Sequence, residues 1–264
     1  MSLCNTSCCR GGRKLAAILE TKDLSIAFGG HVAVDRVSVQ ITEKKFTSII
    51  GPNGAGKTTF FNLLSGQLSP TNGSIYFKNH DITKLSTTER TRMGIGRSFQ
   101  ITNVFPKLTV LENVRLAVQS QAKVRYHMLS HYLHYKKFEE RAYELLEVVF
   151  LKDKAKSIAV NLAHGEKRKL EIAMLLALDT EIMLLDEPTA GMSLEEVPAI
   201  IDVINKIKQQ GEQTIVLIEH KMDMIMGLSD EVLVLYHGEL IAQGSPHEIV
   251  ENETVQSAYL GGGV

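Results

Sequence analysis

Residues 46–66 read FTSIIGPNGAGKTTFFNLLSG, and this stretch decides the fold. FTSII is a short apolar run that predicts a buried strand. The loop that follows fits the pattern G-x-x-x-x-G-K-[ST], and FFNLLSG continues as a helix. Because strand, glycine loop and helix follow one another without a break, the sequence predicts an α/β core that binds the phosphates of a nucleotide.

Each residue type in this loop has a task. Glycines let the backbone turn so that its N–H groups face the phosphates at the start of the helix, where the partial positive charge favours an anion. Lys57 is expected to reach the β- and γ-phosphates of the nucleotide, and Thr58 to offer a hydroxyl to Mg²⁺. The predicted phosphate cradle is Gly51, Pro52, Asn53, Gly54, Ala55, Gly56, Lys57, Thr58 and Thr59.

Two later apolar runs, IMLLDE at 182–187 and TIVLIEH at 214–220, are typical of parallel strands covered on both faces. Asp186 ends the first strand and is expected to hold Mg²⁺ through water, while Glu187 is the candidate base for the attacking water. His220 ends the second strand, where an imidazole can contact the γ-phosphate or position that water. The alternative for His220 is a purely structural role.

The remaining segments predict the domain organisation. The β-rich runs between residues 18 and 50 predict an antiparallel sheet, and 232–244 a hairpin followed by a helix that Ser245 caps. We predict a flexible tail over 1–17 and a single domain over 18–264. Within it we expect a core of about 18–84 and 166–240, a helical subdomain of about 85–165, and a C-terminal helical tail of about 241–264.

Composition limits the partners. The formal net charge is −1, so no global field draws the protein to nucleic acid, and we expect no nucleic-acid partner. The apolar runs fall short of the roughly 18 residues of a membrane-spanning helix. Cys4, Cys8 and Cys9 have no later cysteine to pair with, which fits a reducing cytoplasm. The N-terminal segment lacks an apolar h-region, so we expect a loose tail without a secretory signal; a metal or lipid-attachment role is the alternative.

Two single residues and one pentapeptide are further candidates. Phe28 precedes Gly29-Gly30 and is placed to stack on an adenine ring, although a strand phenylalanine is usually core. Gln100, in GIGRSFQ, is a candidate ligand for both Mg²⁺ and water, and an ordinary polar loop residue is the alternative. The stretch Leu162–Glu166 reads LAHGE and is too short to interpret alone.

Taken in order along residues 18–260, these motifs resemble the ATP-binding cassette family. The resemblance implies a P-loop NTPase (RecA-like) core with a mixed, largely parallel sheet, an antiparallel β region and an inserted α-helical subdomain. Gly51–Thr59 then corresponds to Walker A and Ile182–Asp186 to Walker B. Phe28 takes the adenine position, Gln100 the Q-loop and His220 the switch histidine.

Family order also identifies LAHGE as the signature, which is usually LSGGQ. Leu162 and Gly165 match, whereas Ala163, His164 and Glu166 replace serine, glycine and glutamine. In the family this segment starts a helix that points at the γ-phosphate held by a partner subunit, so its backbone amides survive substitution. The missing serine hydroxyl removes a hydrogen bond of about 1.5–3 kcal/mol. The D-loop departs as well, with AGMS at 190–193 in place of SALD.

LAHGEKRKLEIA, DEPTAGM and the ending AYLGG resemble the LivG-like group of branched-chain amino-acid importer ATPases and their urea-importer relatives. The resemblance implies a head-to-tail dimer with an identical or paralogous cassette, two transmembrane permeases, and indirectly a solute-binding protein. It implies a peripheral location at the cytoplasmic face of the inner membrane. A urea or amide importer, a lipopolysaccharide-export ATPase and a soluble non-transport cassette are the alternatives.

The stretch Lys123–Phe138 mixes basic residues, histidines and tyrosines. A solvated helical arm on the insertion is the simplest interpretation, and contact with lipid headgroups or nucleic acid is the alternative.

Overall fold

The computed structural model describes residues 16–98, 104–122 and 131–260. Its N-terminal part forms a four-stranded antiparallel sheet in the order β2-β1-β4-β5. The strands are β1 (Ala17–Phe28), β2 (His31–Thr42), β4 (Asn72–Phe77) and β5 (His80–Asp81). The predicted antiparallel sheet over residues 18–50 is therefore confirmed for β1 and β2.

A second sheet of six strands has the order β10-β9-β3-β8-β7-β6. Its strands are β3 (Phe46–Ile50), β6 (Ile95–Arg97), β7 (Ile182–Asp186), β8 (Thr214–Ile218), β9 (Glu231–Tyr236) and β10 (Glu239–Gly244). All neighbours pair in parallel except β9 and β10, which form the predicted antiparallel hairpin. Every residue of β3, β7 and β8 is buried, as expected for strands covered on both faces.

Nine α-helices lie in the described ranges. They are α1 (Lys57–Ser65), α2 (Thr87–Met93), α3 (Val110–Gln121), α4 (His131–Val148), α5 (His164–Ala177), α6 (Val197–Gln210), α7 (Met222–Leu228), α8 (Pro246–Glu251) and α9 (Glu253–Leu260). The apolar stripe predicted on α6 is buried, and Ser245 caps α8 through a reciprocal box with Glu248. Both expectations are confirmed.

The helical insertion packs α3 against α4 and α5. The side chains of Phe138, Ala142, Leu145 and Val149 are buried, which confirms the predicted helix face. The insertion begins later than its predicted boundary at residue 85, because β6 pairs with β7 in the core sheet. This strand has only three residues, too few for hydrophobic periodicity to reveal.

Two large apolar clusters lie on opposite faces of the six-stranded sheet, one against α1 and the antiparallel sheet and the other against α3, α5 and α6. Together they fix the carboxyl ends of β3, β7 and β8 relative to one another. Among the described residues, no helix is long and apolar enough to cross a membrane. Part of the segment Lys123–Phe138 falls outside the described residues, and the remainder begins α4.

Candidate functional site

The glycine loop connects β3 to α1 and passes very close to two other backbone segments. Gly51 has φ +152°, and a Cβ built there would lie 2.1 Å from the carbonyl oxygen of Leu235. Gly56 has φ +94°, and its Cβ would lie 2.4 Å from the carbonyl oxygen of Ala33. Both glycines are therefore required by space as well as by φ, and the loop turns tightly enough to direct its amides toward a phosphate.

Lys57 begins α1 and is almost fully buried beneath this loop. Its Nζ donates to the carbonyl oxygens of Gly51 at 2.8 Å and Pro52 at 2.9 Å. Burial lowers the pKa of Lys57, and the nearby carboxylates of Glu187 and Asp186 oppose that shift. The ammonium group thus lies where the loop and both acidic residues converge.

Asp186 ends β7 with its side chain completely buried. Its Oδ2 accepts a hydrogen bond of 2.8 Å from Arg97, at the end of the neighbouring strand β6. Burial raises the pKa of Asp186, and the Arg97 guanidinium opposes that rise. Asp186 Oδ1 is buried and has no hydrogen-bond partner among the described residues.

Glu187 and His220 meet at the carboxyl ends of β7 and β8. The Nε2 of His220 lies 2.9 Å from Oε1 of Glu187. Glu187 has φ +45°, a left-handed conformation that a non-glycine residue adopts at some cost and that is common at functional sites. Because both side chains remain partly exposed, the pair is accessible to a water molecule and a bound phosphate.

Glu219 supports His220 from the preceding position. Its buried carboxylate accepts the His220 backbone N–H at 2.8 Å through Oε2 and the Thr189 hydroxyl through Oε1. Thr189 follows Glu187 by two residues, so Glu219 connects the segment after β7 to the end of β8. This connection holds the backbone of His220 in place.

Arg168, on α5, holds the chain just after β7. Its guanidinium donates to the carbonyl oxygens of Asp186 at 3.2 Å, Glu187 at 3.1 Å and Pro188 at 3.2 Å. The same side chain forms an ion pair with Glu171 at 2.7 Å. Helix α5 therefore fixes the backbone that carries the proposed base.

The pentapeptide LAHGE lies at the start of α5, as expected for a signature segment. Ala163 is the N-cap residue, and its backbone N–H donates to Glu166 Oε2 at 3.1 Å. Since alanine has no side-chain oxygen, only this half of a capping box forms. Glu166 also pairs with Lys154, which balances its charge. The Gly165 N–H points toward Glu196 Oε1 at 3.4 Å.

Phe28 ends β1 and is 49% exposed, so the alternative of a core phenylalanine is wrong. The β1–β2 turn connects it to the part of β2 that approaches the glycine loop, where Asp35 N–H donates to Gly238 O at 2.8 Å and Gly238 N–H to Ala55 O at 3.1 Å. An exposed aromatic ring at this end of the antiparallel sheet is suited to stacking on a base. Gln100 lies outside the described residues.

Three residues that support the site belong to no motif recognised in the sequence, namely Arg97, Arg168 and Glu219. Each acts through a partner distant in sequence, so no local pattern indicates its contacts. The weak signals are the arginine three positions before Gln100, the basic run that follows LAHGE, and the acidic residue before His220.

A search against family models matches residues 34–190, more than half of the chain, to "ABC transporter". Residues 239–264 match "Branched-chain amino acid ATP-binding cassette transporter". The chain belongs to the ABC transporter family, in which it is the ATP-binding cassette, and it is an ATPase that acts as a transporter subunit.

Curated relatives extend the similarity to nearly the full length. The "High-affinity branched-chain amino acid transport ATP-binding protein LivG" of Salmonella typhimurium is 39% identical over 251 residues, covering 92% of this chain and 98% of LivG. The "Lipopolysaccharide export system ATP-binding protein LptB" of Acidithiobacillus ferridurans is 31% identical over 247 residues, covering 94% of this chain and 98% of LptB. The cassette is therefore similar to subunits of both kinds of system.

Solved structures agree with the fold. The ADP conformation of MJ1267, an ATP-binding cassette of an ABC transporter, has a TM-score of 0.78 at 29% identity, covering 93% of this chain and 99% of MJ1267. The dimeric structure of MJ0796, a bacterial ABC transporter cassette, has a TM-score of 0.72 at 28% identity, covering 86% and 98%. The predicted α/β cassette with antiparallel and parallel sheets is confirmed.

Proposed function

We propose that this ATPase serves an importer of branched-chain amino acids and works at the cytoplasmic face of the cell membrane. The observation that carries the proposal is the match of residues 239–264 to the branched-chain amino acid cassette family. That segment contains β10, α8 and α9, which lie outside the phosphate loop. It therefore separates one group of cassettes from another, whereas the catalytic motifs are common to all. The similarity to LivG supports the same substrate class.

Mg²⁺ is the proposed metal, and the buried, unpartnered Oδ1 of Asp186 fits it. Thr58 and Gln100 complete the proposed set. Mg²⁺ keeps several of its waters and needs few protein ligands. Among the described residues, no group of three or more His, Cys, Asp or Glu side chains could hold a metal ion. A single carboxylate such as Asp186 is compatible with Mg²⁺, because that ion keeps most of its waters. When bound, the ion supplies positive charge that stabilises the phosphate oxygens during hydrolysis.

The chain's own residues then divide the reaction between them. Glu187 accepts a proton from the attacking water, and the contact of 2.9 Å with His220 fixes the direction of its carboxylate. Lys57 exchanges its loop carbonyl partners for the β- and γ-phosphate oxygens of ATP. The loop amides hold those phosphates in line with the water.

Each site is proposed to be completed by LAHGE of a second cassette, in a head-to-tail pair with two nucleotides. The start of α5 offers the amides of its first turn and the positive end of the helix dipole to the partner's γ-phosphate, and the Gly165 amide would exchange Glu196 Oε1 for a phosphate oxygen. Gly165 lies within this first turn, and a Cβ there would be 3.1 Å from Met192 Cε. Glycine at this position avoids that close contact. The dimeric structure of MJ0796 supports the pairing of two cassettes.

The two permeases are proposed to dock on the helical insertion. Phe105 and Val160 are 53% and 56% exposed, and the Val160 N–H donates to Pro106 O at 3.0 Å, which brings the two segments together. Large exposed apolar side chains on two adjoining segments favour a protein interface here. Dimer closure and reopening would move this surface, and with it the permeases and access for a solute-binding protein.

The substrate is tested by reconstituting the cassette with its permeases and second cassette in vesicles that contain the solute-binding protein. We expect leucine to stimulate ATP hydrolysis and leucine uptake, and the Glu187→Gln variant to abolish both. Stimulation by urea instead of leucine would overturn the substrate assignment while leaving the importer class intact.

Docking is tested with a variant that carries both Phe105→Ser and Val160→Ser. We expect it to keep basal ATP hydrolysis, since both side chains lie outside the catalytic residues, and to lose co-purification with the permeases. Normal co-purification would contradict the assigned surface.

A second candidate function, lipopolysaccharide export, is favoured by the 31% identity to LptB. The same vesicles distinguish it from import. Stimulation of ATP hydrolysis by lipopolysaccharide, with no response to any amino acid or urea, would select the export function.

A further inference from the structure

Arg97 is the last residue of β6 and is nearly buried, with a side chain that is 8% exposed. It donates to Asp186 Oδ2 at 2.8 Å, and also to Asn62 Oδ1 at 2.6 Å and Ser65 Oγ at 2.8 Å. Its guanidinium carbon lies 5.6 Å from the centre of the Phe61 ring. One side chain thus joins the end of β7 to the helix that starts with Lys57.

The environment of Asp186 makes this contact important. Its carboxylate is completely buried, and a buried charge requires a partner. Arg97 satisfies Oδ2 and leaves Oδ1 without a hydrogen-bond partner among the described residues. The two oxygens of this carboxylate therefore differ. Oδ2 accepts a hydrogen bond from Arg97, and Oδ1 is left for another partner.

The guanidinium is itself held in position. Because the guanidinium also contacts two side chains of α1, it cannot follow a rotating Asp186 carboxylate without breaking its own contacts to that helix. The same helix carries Lys57 and Thr58 in its first turn. The direction of Asp186 is thus coupled to the helix that binds the phosphates.

We propose that Arg97 is a positioning residue for the metal site: it binds Asp186 Oδ2, anchors the carboxylate to α1, and reserves Oδ1 for a water of the Mg²⁺ ion. This inference rests on the proposed assignment of Asp186 to the metal. Partners that orient a metal ligand in this way usually contribute about 10- to 100-fold to metal affinity.

The test uses Mn²⁺ as a spectroscopic substitute for Mg²⁺. Its dissociation constant is measured by electron paramagnetic resonance in the presence of a non-hydrolysable ATP analogue. The variants are Arg97→Met, Arg97→Lys and the control Arg92→Met, which changes an exposed arginine on α2. Affinity for the analogue in EDTA is measured separately.

We expect Arg97→Met to weaken Mn²⁺ binding about 10- to 100-fold while analogue affinity in EDTA stays close to that of the parent protein. Arg92→Met should change neither quantity. Arg97→Lys should fall in between, because an ammonium keeps the charge beside Asp186 and cannot bridge to α1 through a planar fork. Mn²⁺ affinity equal to the parent in both Arg97 variants would overturn the proposal.

Two further measurements separate the possible causes of failure. Asp186→Asn tests the metal assignment itself, and unchanged Mn²⁺ affinity in that variant would refute the metal site independently of Arg97. In the Asp186→Asn background, Arg97→Met should cause no additional loss, because its effect passes through the carboxylate. If Arg97→Met does not fold, as judged by circular dichroism, Arg97→Lys decides by the same criterion.

Discussion

Arg90 offers a sharp test of how the phosphate-binding helix is held in place. This arginine on α2 is 1% exposed. It donates to the carbonyl oxygens of Leu63 at 2.6 Å and Leu64 at 2.9 Å, at the end of α1, and to those of Leu85 at 3.1 Å and Thr83 at 3.0 Å. The guanidinium thereby satisfies terminal carbonyls of α1 and opposes the negative end of its dipole.

The Arg90→Met variant removes these donors and keeps much of the aliphatic volume. The two α1 carbonyls are the most deeply buried, and each buried acceptor left without a donor costs about 1–3 kcal/mol, so we expect a loss of roughly 2–6 kcal/mol. For a chain of this size that corresponds to a melting temperature lower by roughly 10 °C. Burial lowers the pKa of Arg90 to about 10, so the guanidinium stays protonated near neutral pH and the loss should be constant from pH 6 to 8.

The assay is thermal unfolding followed by circular dichroism, with Arg92→Met as the matched control on the same helix. Arg92 is exposed, so its replacement should change stability by less than about 0.5 kcal/mol. Equal melting temperatures for the two variants would refute the role assigned to Arg90. A further expected consequence is weaker ATP binding by Arg90→Met, since α1 carries Lys57.

Three other predictions concern the site and its supports. His220→Ala should lower kcat for ATP hydrolysis about 100-fold or more with a small change in KM, because Glu187 loses the partner that directs it. Gly51→Ala should abolish ATP binding, measured by calorimetry, because its Cβ would lie 2.1 Å from a carbonyl oxygen of β9. Hydrogen bonds from Thr109 lower the pKa of Glu112, so the stability that the charged Glu112 adds is present above its unfolded pKa of about 4.3 and is lost as pH falls through the lower folded pKa. The difference in melting temperature between the parent and Glu112→Gln should therefore vanish in acid.

Gly51→Ala has a matched control, and the other two predictions each have a result that would contradict them. Gly227→Ala places a Cβ where no atom lies within 4 Å and should leave ATP binding intact. For His220, an unchanged kcat would show that the contact with Glu187 is not used in hydrolysis. For Glu112, a melting-temperature difference that persists below its folded pKa would contradict the electrostatic origin of the cap.

Features that depend on residues close together in the sequence, such as the glycine loop and the cap of α8, could be predicted from sequence patterns. The glycine loop could be recognised because its spacing, the strand before it and the helix after it are contiguous in sequence. The cap of α8 depended on Ser245 and Glu248, three residues apart, and it formed as expected. The meeting of Glu187 with His220 followed from placing two parallel strands side by side, since their carboxyl ends share one edge of the sheet.

Contacts between distant segments could not be predicted in the same way. Arg97 reaches Asp186 because β6 joins the sheet beside β7. With only three residues, β6 is too short for the alternating pattern that predicts a strand. Arg90 and Arg168 donate mainly to backbone carbonyl oxygens. Every residue type has such an oxygen, so the sequence does not indicate which residues are the partners. Fixed arginines of this kind can be identified only from the tertiary structure, where Arg97 and Arg168 hold the side chain of Asp186 and the backbone of Glu187, two residues that the sequence motifs predict for the site.

The central claim is that two cassettes close over ATP through LAHGE. The most direct test is light scattering of Glu187→Gln with ATP and with ADP, because this variant should bind ATP and fail to hydrolyse it. We expect a dimer with ATP, a monomer with ADP, and loss of the dimer when Gly165→Asp is added. A dimer that Gly165→Asp leaves intact would contradict closure through this segment, and a protein that binds ATP and remains monomeric would contradict closure by two copies of this chain alone.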